Sequence, residues 1–181
     1  LGEIYYLGQY ISRNINKSIH YLTLSSNQNN SNAQFLLGKI YYLAEYISCD
    51  INKSIHYLTL SAKQNNSYAQ FLLGEIYYLG QYISRNINKS IHYLTLSANQ
   101  NNSYAQYYLG EIYYLGQYIS RDINKSIYYL TLSSNQNNSN AQFLLGEIYY
   151  LAEYISCDIN KSIYYLTLSS NQNNSNAQFL L

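Results

Sequence analysis

The sequence predicts an all-α fold of stacked helix-turn-helix repeats, and two observations support this. A 36-residue string that begins at Leu1 recurs from Leu37, Leu73, Leu109 and Leu145 without insertion or deletion. Inside each copy, apolar residues step by three and four positions, which is the spacing of one helical face. The many Tyr and Ile residues would also suit strands. The period-2 alternation of a half-buried strand is missing, however, so we interpret the repeats as helical.

The exact period indicates an array of repeats, since periods of about 20–50 residues are typical of solenoids and related arrays. We therefore expect one repeat domain over residues 1–181. Its copies span residues 1–36, 37–72, 73–108, 109–144 and 145–180. The chain begins mid-motif without Met, and both ends are half helices. We therefore also expect an excerpt of a longer array.

Composition and charge argue against several classes of function. The net charge is +1 and no charge runs occur, so the basic stripe of a nucleic-acid binder is missing. No apolar run approaches the roughly 18 residues of a spanning helix, so we expect no membrane insertion. The two cysteines, Cys49 and Cys157, lie three repeats apart and are predicted to be unpaired. The sequons at Asn16 and Asn29 arise by chance in an Asn- and Ser-rich chain, and Asn16 lies in the first turn of helix B, a poor position for a glycan. This slightly favours an intracellular location.

The first helix of the repeat, helix A, is predicted over residues 32–44 of the second copy. Ser31 and Gln34 have the spacing of a capping box, in which each side chain satisfies the backbone of the other. Gly38 lies inside the helix and recurs in every copy, which indicates the close approach of another backbone. The predicted core face comprises Ala33, Leu36, Leu37, Ile40, Tyr41 and Ala44.

The second helix, helix B, is predicted over residues 51–64, after a short loop at 45–49. Asp50 is a good N-cap, and Asn14 and Asn86 stand at the equivalent position of other copies. Asn65 suits the left-handed conformation at the end of the helix. The predicted core face comprises Ile51, Ile55, Leu58 and Ala62.

These residues carry a family pattern. It reads Leu37-Gly38-x-x-Tyr41-x-x-Ala44, Asp50-x-x-Lys53-Ser54-x-x-Tyr57, and Ala69-Gln70-Phe71 before Leu73-Gly74. The pattern resembles the Sel-one-like repeat (SLR), which is related to the tetratricopeptide repeat, and it covers the whole chain in register. Ser18 and Ser54 stand where the family has Ala in helix B, and Asn29 stands where Gly usually ends that helix.

The resemblance implies a right-handed α-solenoid in which helix A lines the concave face and helix B the convex face. It also implies a non-catalytic adaptor or scaffold that binds a protein or peptide and needs no cofactor. Some secreted relatives carry paired cysteines in each repeat and are linked to β-lactam binding. This chain lacks those pairs, so no small-molecule substrate is expected. A further alternative is a structural or aggregation-prone repeat protein, because Asn- and Tyr-rich tracts can aggregate.

A second face of helix A, here called the helix A stripe, is the predicted partner-binding surface. Aromatic residues and carboxylates recur on it, and stacking would bring successive copies side by side. Aromatic side chains dominate binding hot spots, and carboxylates favour Lys or Arg on a partner. The alternative is that the Phe residues seal adjacent helices A and the Tyr residues are half-buried packing. The stripe comprises Asn32, Phe35, Lys39, Tyr42, Tyr68, Phe71, Glu75, Tyr78, Tyr104, Tyr107, Glu111, Tyr114, Asn140, Phe143, Glu147 and Tyr150.

No catalytic or metal-binding constellation is visible in the sequence. His20, His56 and His92 share one position of helix B, where the last two copies carry Tyr128 and Tyr164. A position that accepts either His or Tyr is typical of packing or of the convex surface. We therefore predict neither an enzyme nor a metal site.

Overall fold

The computed structural model describes residues 1–8, 11–44, 47–151 and 155–181. Within these ranges the chain forms eleven helices and no strand, which confirms the all-α prediction. The helices are α1 Gly2–Leu7, α2 Ile15–Asn27, α3 Ser31–Leu43, α4 Ile51–Lys63, α5 Ser67–Leu79, α6 Ile87–Asn99, α7 Ser103–Leu115, α8 Ile123–Ser134, α9 Ser139–Leu151, α10 Ile159–Ser170 and α11 Ser175–Leu180. In the described ranges, no helix combines the length and the apolar character needed to cross a bilayer.

The chain divides into two compact units, Leu1–Ser97 and Ala98–Leu181. Inside each unit a helix A packs antiparallel to the helix B that follows it, and the next helix A packs on that hairpin in turn. This succession of helix-turn-helix pairs is the packing expected of an α-solenoid. The predicted bounds of helices A and B agree with α3 and α4 to within one residue.

The core of each repeat lies between helix A and helix B. Leu37 and Leu58 are fully buried, and the other predicted core residues are buried or half-buried. Gly38 lies against Leu58, where an added Cβ atom would come within 2.5 Å of the Leu58 Cγ atom and 3.2 Å of its backbone nitrogen. The predicted close approach at this glycine is therefore confirmed.

The predicted caps of helix B are confirmed. The Oδ1 atoms of Asn14, Asp50 and Asn86 each accept a hydrogen bond of 3.0 Å from the backbone N–H three residues later. At the other end of helix B, Asn65 adopts the left-handed conformation with φ of 60°. The equivalent Asn29 has φ of 63°, so Asn supplies the turn that the family usually builds with Gly.

The predicted capping box at the start of helix A is wrong. The N-cap of α3 is Asn30, whose Oδ1 atom accepts from the Ala33 N–H at 3.0 Å, and Ser31 is already the first helical residue. Gln34 is therefore not needed at the helix start, and its side chain turns into the core with 2% of its surface exposed. A short Asn side chain placed one residue earlier satisfies the same orphan N–H groups that the box would have satisfied.

Gln34 and Ser61 instead join helices of the first unit. The Gln34 Nε2 atom donates to the Ser26 carbonyl on α2 at 3.5 Å, and its Oε1 atom accepts from Gln64 Nε2, after the end of α4, at 2.7 Å. The Ser61 Oγ atom on α4 donates to the Ser31 carbonyl on α3 at 2.7 Å. The second unit repeats this last bond between Ser133 and Ser103 at the same length. In the first unit, these hydrogen bonds tie α3 both to the helix B before it and to the helix B after it.

The predicted loop at 45–49 is only partly visible, because Glu45 and Tyr46 lie outside the described residues. Cys49 and Cys157 are both free thiols, in agreement with the prediction.

Candidate partner-binding surface

In the first unit, part of the helix A stripe seals the junction between repeats. Phe35 and Tyr42 of α3 pack against the core cluster that α4 and α5 build. The centroid of the Phe35 ring lies 5.9 Å from that of the Tyr68 ring. The Tyr42 ring meets the edge of Tyr82 at 6.1 Å. These rings therefore stabilise the junction, as the packing alternative proposed.

Other residues of the stripe in this unit remain accessible. The Tyr68 side chain is 63% exposed, and Lys39 and Glu75 are half-buried.

Burial raises the pKa of the Tyr42 hydroxyl, and the negative charge of Glu75 raises this pKa further. The Arg85 guanidinium lies 5.9 Å from the centre of the Tyr78 ring. Phe71 is half-buried in the middle of α5.

In the second unit, the structure brings six residues of the stripe together. They line a groove of about 350 Å³ between α7, α9 and the start of α11. The groove is half apolar and half polar in character, because aromatic rings, carboxylates and amides alternate around it. The six residues are Tyr107, Glu111, Tyr114, Asn140, Phe143 and Glu147.

The two carboxylates of the groove have different surroundings. Glu111 Oε1 accepts a hydrogen bond of 2.9 Å from the Tyr107 hydroxyl. Glu147 is half-buried, and among the described residues it has neither a hydrogen-bond partner nor an ion pair. Burial raises the pKa of the Glu147 carboxyl group, because its charged form is poorly solvated. Among the described residues, those that line the groove include no Lys or Arg.

Two aromatic residues of the stripe in the second unit lie outside the groove, and two that line it also belong to the core packing. Tyr104 and Tyr150 are 61% and 53% exposed and do not line the groove. Tyr107 and Tyr114 also pack against the core cluster of Leu130 and its neighbours, so they contribute to both stability and surface. The Arg121 guanidinium lies 6.0 Å from the centre of the Tyr114 ring.

Four groove residues were not predicted from the sequence: Leu115, Leu144, Asn174 and Asn176. Leu115 lies four residues after Glu111 and Asn176 repeats the position of Asn140, so the helical step and the repeat register could have identified both. Leu144 is 8% exposed and belongs mainly to the core. Asn174 is the N-cap of α11, and a capping residue gives no sequence signal for a groove.

The histidine position of helix B lies on the surface. His20, His56 and His92 are all exposed, each with its ring 5.2 Å from the ring of the following Tyr. Within the described ranges, no three His, Cys, Asp or Glu side chains converge as metal ligands would.

Comparison with protein families finds the Sel1 repeat five times along this chain. The family model matches residues 1–30, 31–66, 67–102, 103–138 and 139–174. The segment 31–66 runs from the start of one helix A to the N-cap of the next. No curated protein matches the chain.

Several solved structures are similar to this chain. A Sel1 repeat protein from Oxalobacter formigenes is 27% identical with a TM-score of 0.87, over 97% of this chain and 72% of that protein. A protective antigen of uropathogenic Escherichia coli strains, which displays an SLR fold, is 26% identical with a TM-score of 0.91. That match covers 100% of this chain and 39% of the antigen. Cysteine rich protein B from Helicobacter pylori is 18% identical with a TM-score of 0.57, over 76% of this chain and 99% of that protein, and shares the fold alone.

Proposed function

This chain belongs to the Sel1 repeat family, and we propose that it is a non-catalytic scaffold that binds a protein or peptide segment on its helix A stripe. Members of the family commonly act as scaffolds for protein interactions. The observation that supports this face is the groove of the second unit, which gathers six of the predicted residues. A bound segment would contact the aromatic rings and the carboxylates at the same time.

The aromatic rings that line the groove are only partly buried. Tyr107 and Tyr114 pack against a core cluster but remain half-exposed at the groove, and Phe143 is half-buried there. Aromatic rings that are already ordered lose little conformational entropy on binding and bury a large area. Such residues are the usual hot spots of protein interfaces. The exposed Tyr68 in the first unit and Tyr104 in the second would extend the contact surface of their units.

The test uses peptides selected against the intact chain from a randomised display library. We expect Tyr78→Ala and Tyr114→Ala each to lower the affinity for selected peptides by at least about tenfold, the loss typical of a hot spot. Titration calorimetry would measure the affinity. Far-ultraviolet circular dichroism and thermal melting would show that the variants remain folded.

Tyr128→Ala and Tyr164→Ala are matched controls on helix B. The Tyr128 side chain is 59% exposed and the Tyr164 side chain 58%. Truncation therefore removes the same chemical group from helix B instead of helix A. We expect these controls to bind like the wild type. Loss of affinity in the controls, with unchanged affinity in Tyr114→Ala and Tyr78→Ala, would move the interface to helix B and refute the proposal.

A further inference from the structure

Side-chain amides of the second unit lie open at one end of the groove. Asn140 of α9, Asn174 at the N-cap of α11 and Asn176 of α11 all line it. The Asn174 Oδ1 atom accepts from the backbone N–H groups of Asn176 and Ala177, so its Nδ2 atom is the group left to donate. Among the described residues, neither this Nδ2 atom nor the Asn140 side chain has a hydrogen-bond partner.

The equivalent amides of the first unit bond to each other. Asn66, the N-cap of α5, stands at the repeat position of Asn174, and Asn32 of α3 stands at that of Asn140. The Asn66 Nδ2 atom donates to the Asn32 Oδ1 atom at 3.2 Å. The first unit therefore pairs internally a donor and an acceptor that stay unpaired in the second unit.

A ligand that fits both open amides offers one donor and one acceptor on the same side. In an extended peptide segment, the N–H and C=O groups of one residue point to the same side of the chain. Its N–H group would donate to the Asn140 Oδ1 atom, and its C=O group would accept from the Asn174 Nδ2 atom. A helical segment does not fit, because its own N–H and C=O groups are paired within the helix.

Two further features of the groove suit an extended segment. Glu147 is half-buried and has no hydrogen-bond partner among the described residues, so an N–H group of the segment would compensate its lost hydration. Phe143, one turn earlier on α9, offers an apolar surface to a side chain. The groove volume of about 350 Å³ lies near the lower limit of ligand pockets, about 300–1,000 Å³, which favours a short stretch of chain.

We infer that the groove of the second unit binds the main chain of an extended partner segment, in which Asn140 accepts from the N–H group and Asn174 donates to the C=O group of one residue. This inference rests on the proposed function and specifies how one part of the same face recognises a partner. Main-chain hydrogen bonds supply affinity, and pockets for side chains supply specificity. The conformation of the partner segment therefore matters more at this site than the identity of the residue that is bound.

The experiment replaces single peptide bonds by ester bonds in a peptide selected against the intact chain from the same display library. Each ester removes one N–H donor and keeps every side chain. We expect one ester position to lower the affinity about tenfold, because the acceptor in the groove is then left without its donor. Titration calorimetry would measure the affinity.

Asn140→Leu completes a double-mutant cycle with the sensitive ester. This variant removes the acceptor, so it should weaken binding of the unmodified peptide about tenfold and abolish the difference between peptide and ester. Tyr68 and Tyr104 stand at this repeat position, so helix A accepts a largely apolar side chain here. A difference between peptide and ester that persists in Asn140→Leu would overturn the inference.

Asn174→Asp tests the donor and keeps the helix cap, because Asp and Asn are similarly good N-caps. The Nδ2 donor becomes an oxygen atom that repels the C=O group of the peptide, so affinity should fall about tenfold. Unchanged affinity would overturn the inference.

Asn102→Asp is the matched control. Asn102 caps α7 in the same unit, where its Oδ1 atom accepts from the Ala105 N–H at 3.0 Å, and it does not line the groove. We expect the affinity of this variant to equal that of the wild type within about twofold.

The possible outcomes separate the inference from the proposed function. An ester scan without a sensitive position, in a peptide that loses affinity on Tyr114→Ala, would overturn the inference and leave the proposed function standing. If replacement of an Asn or Gln side chain of the peptide by Ala, and no ester, abolishes the effect of Asn140→Leu, the groove binds a side-chain amide and the inference is again overturned. A failure to select any peptide would overturn both.

Discussion

Within the described residues, four serine hydroxyl groups are buried between the two helices of a repeat without a hydrogen-bond partner. The Oγ atoms of Ser18, Ser54, Ser90 and Ser126 are fully enclosed, whereas the equivalent Ser162 donates to the Gly146 carbonyl at 2.8 Å. The family pattern has Ala at this position, so the substitution was visible in the sequence. The lack of a hydrogen-bond partner could not be predicted from the sequence, because the partner of a hydroxyl group depends on its rotamer and on the carbonyl that faces it.

We expect Ser54→Ala to raise the free energy of unfolding by roughly 1 kcal/mol, because the variant removes a buried and unsatisfied hydroxyl group without leaving a large cavity. Urea denaturation followed by circular dichroism would measure this change. Ser162→Ala is the control, since it also removes the bond to the Gly146 carbonyl and should be no more stable than the wild type. A Ser54→Ala variant that is less stable than the wild type would show that this hydroxyl has a partner in solution.

At the scale of one hairpin, a glycine of helix A decides how closely helix B can approach. A Cβ atom on Gly74 would lie 2.6 Å from the Leu94 Cγ atom and 3.1 Å from its backbone nitrogen. Leu94 is fully buried and cannot move away without disturbing the core. The glycine therefore improves packing although it lowers intrinsic helix stability by about 1 kcal/mol.

We expect Gly74→Ala to lower the free energy of unfolding by about 1–3 kcal/mol, the usual cost of overpacking a core, despite the better helix propensity of Ala. Thermal and urea denaturation would measure the loss. A double-mutant cycle with Leu94→Ala supplies the control, because the shortened Leu94 side chain no longer contacts the new methyl group. Equal effects of Gly74→Ala in both backgrounds would refute this explanation.

The bounds of these helices could be predicted from the sequence because they depend on local chemistry. Asp50 and Asn65 specify the start and the turn at the end of helix B through their own side chains and backbones. The start of helix A was misplaced because Asn30 and Ser31 can both cap a helix, and only the geometry selects Asn30. The burial of Gln34 was missed because an apolar pattern takes no account of a polar residue that bridges two repeats.

At the scale of the whole molecule, stacking could be predicted, and with it the approach of Glu111 to Glu147 in one groove. The sequence could not show which rings of the stripe are used in packing. Phe35 and Tyr42 pack against the core of the first unit, and their repeat equivalents Tyr107 and Tyr114 pack against a core cluster of the second unit while they also line the groove. The spacing of the residues along the helix does not distinguish these two roles, because one ring can serve both.

The N-caps of helix B differ between repeats, and only some of them carry a carboxyl group that acid can protonate. Asp50, Asp122 and Asp158 cap helix B in three repeats, and Asn14 and Asn86 cap it in the other two. The backbone N–H three residues later lowers the pKa of each of these Asp carboxyl groups, and the nearby Lys lowers it further. The folded state therefore favours the charged form more strongly than the unfolded state does.

We expect the melting temperature to fall as these carboxylates become protonated below about pH 4, the ordinary pKa of Asp. A carboxyl group with a lowered pKa contributes stability above its unfolded pKa and loses it as the pH falls through the folded value. The variant with Asp50→Asn, Asp122→Asn and Asp158→Asn keeps the caps and should show a weaker acid dependence. Equal dependence in the variant and the wild type would assign the acid response to other groups.

The identical junctions between repeats have a consequence for how genes of this kind can change. If recombination removed the codons for residues 31–66, Asn30 would be joined to Ser67 and could cap α5 as Asn66 does now. The bond from Ser97 to the Ser67 carbonyl would be retained, and Gln70 would face the Ser26 carbonyl instead of that of Ala62. Unequal exchange between these copies would thus yield shorter or longer chains that retain the hydrogen bonds of the junction.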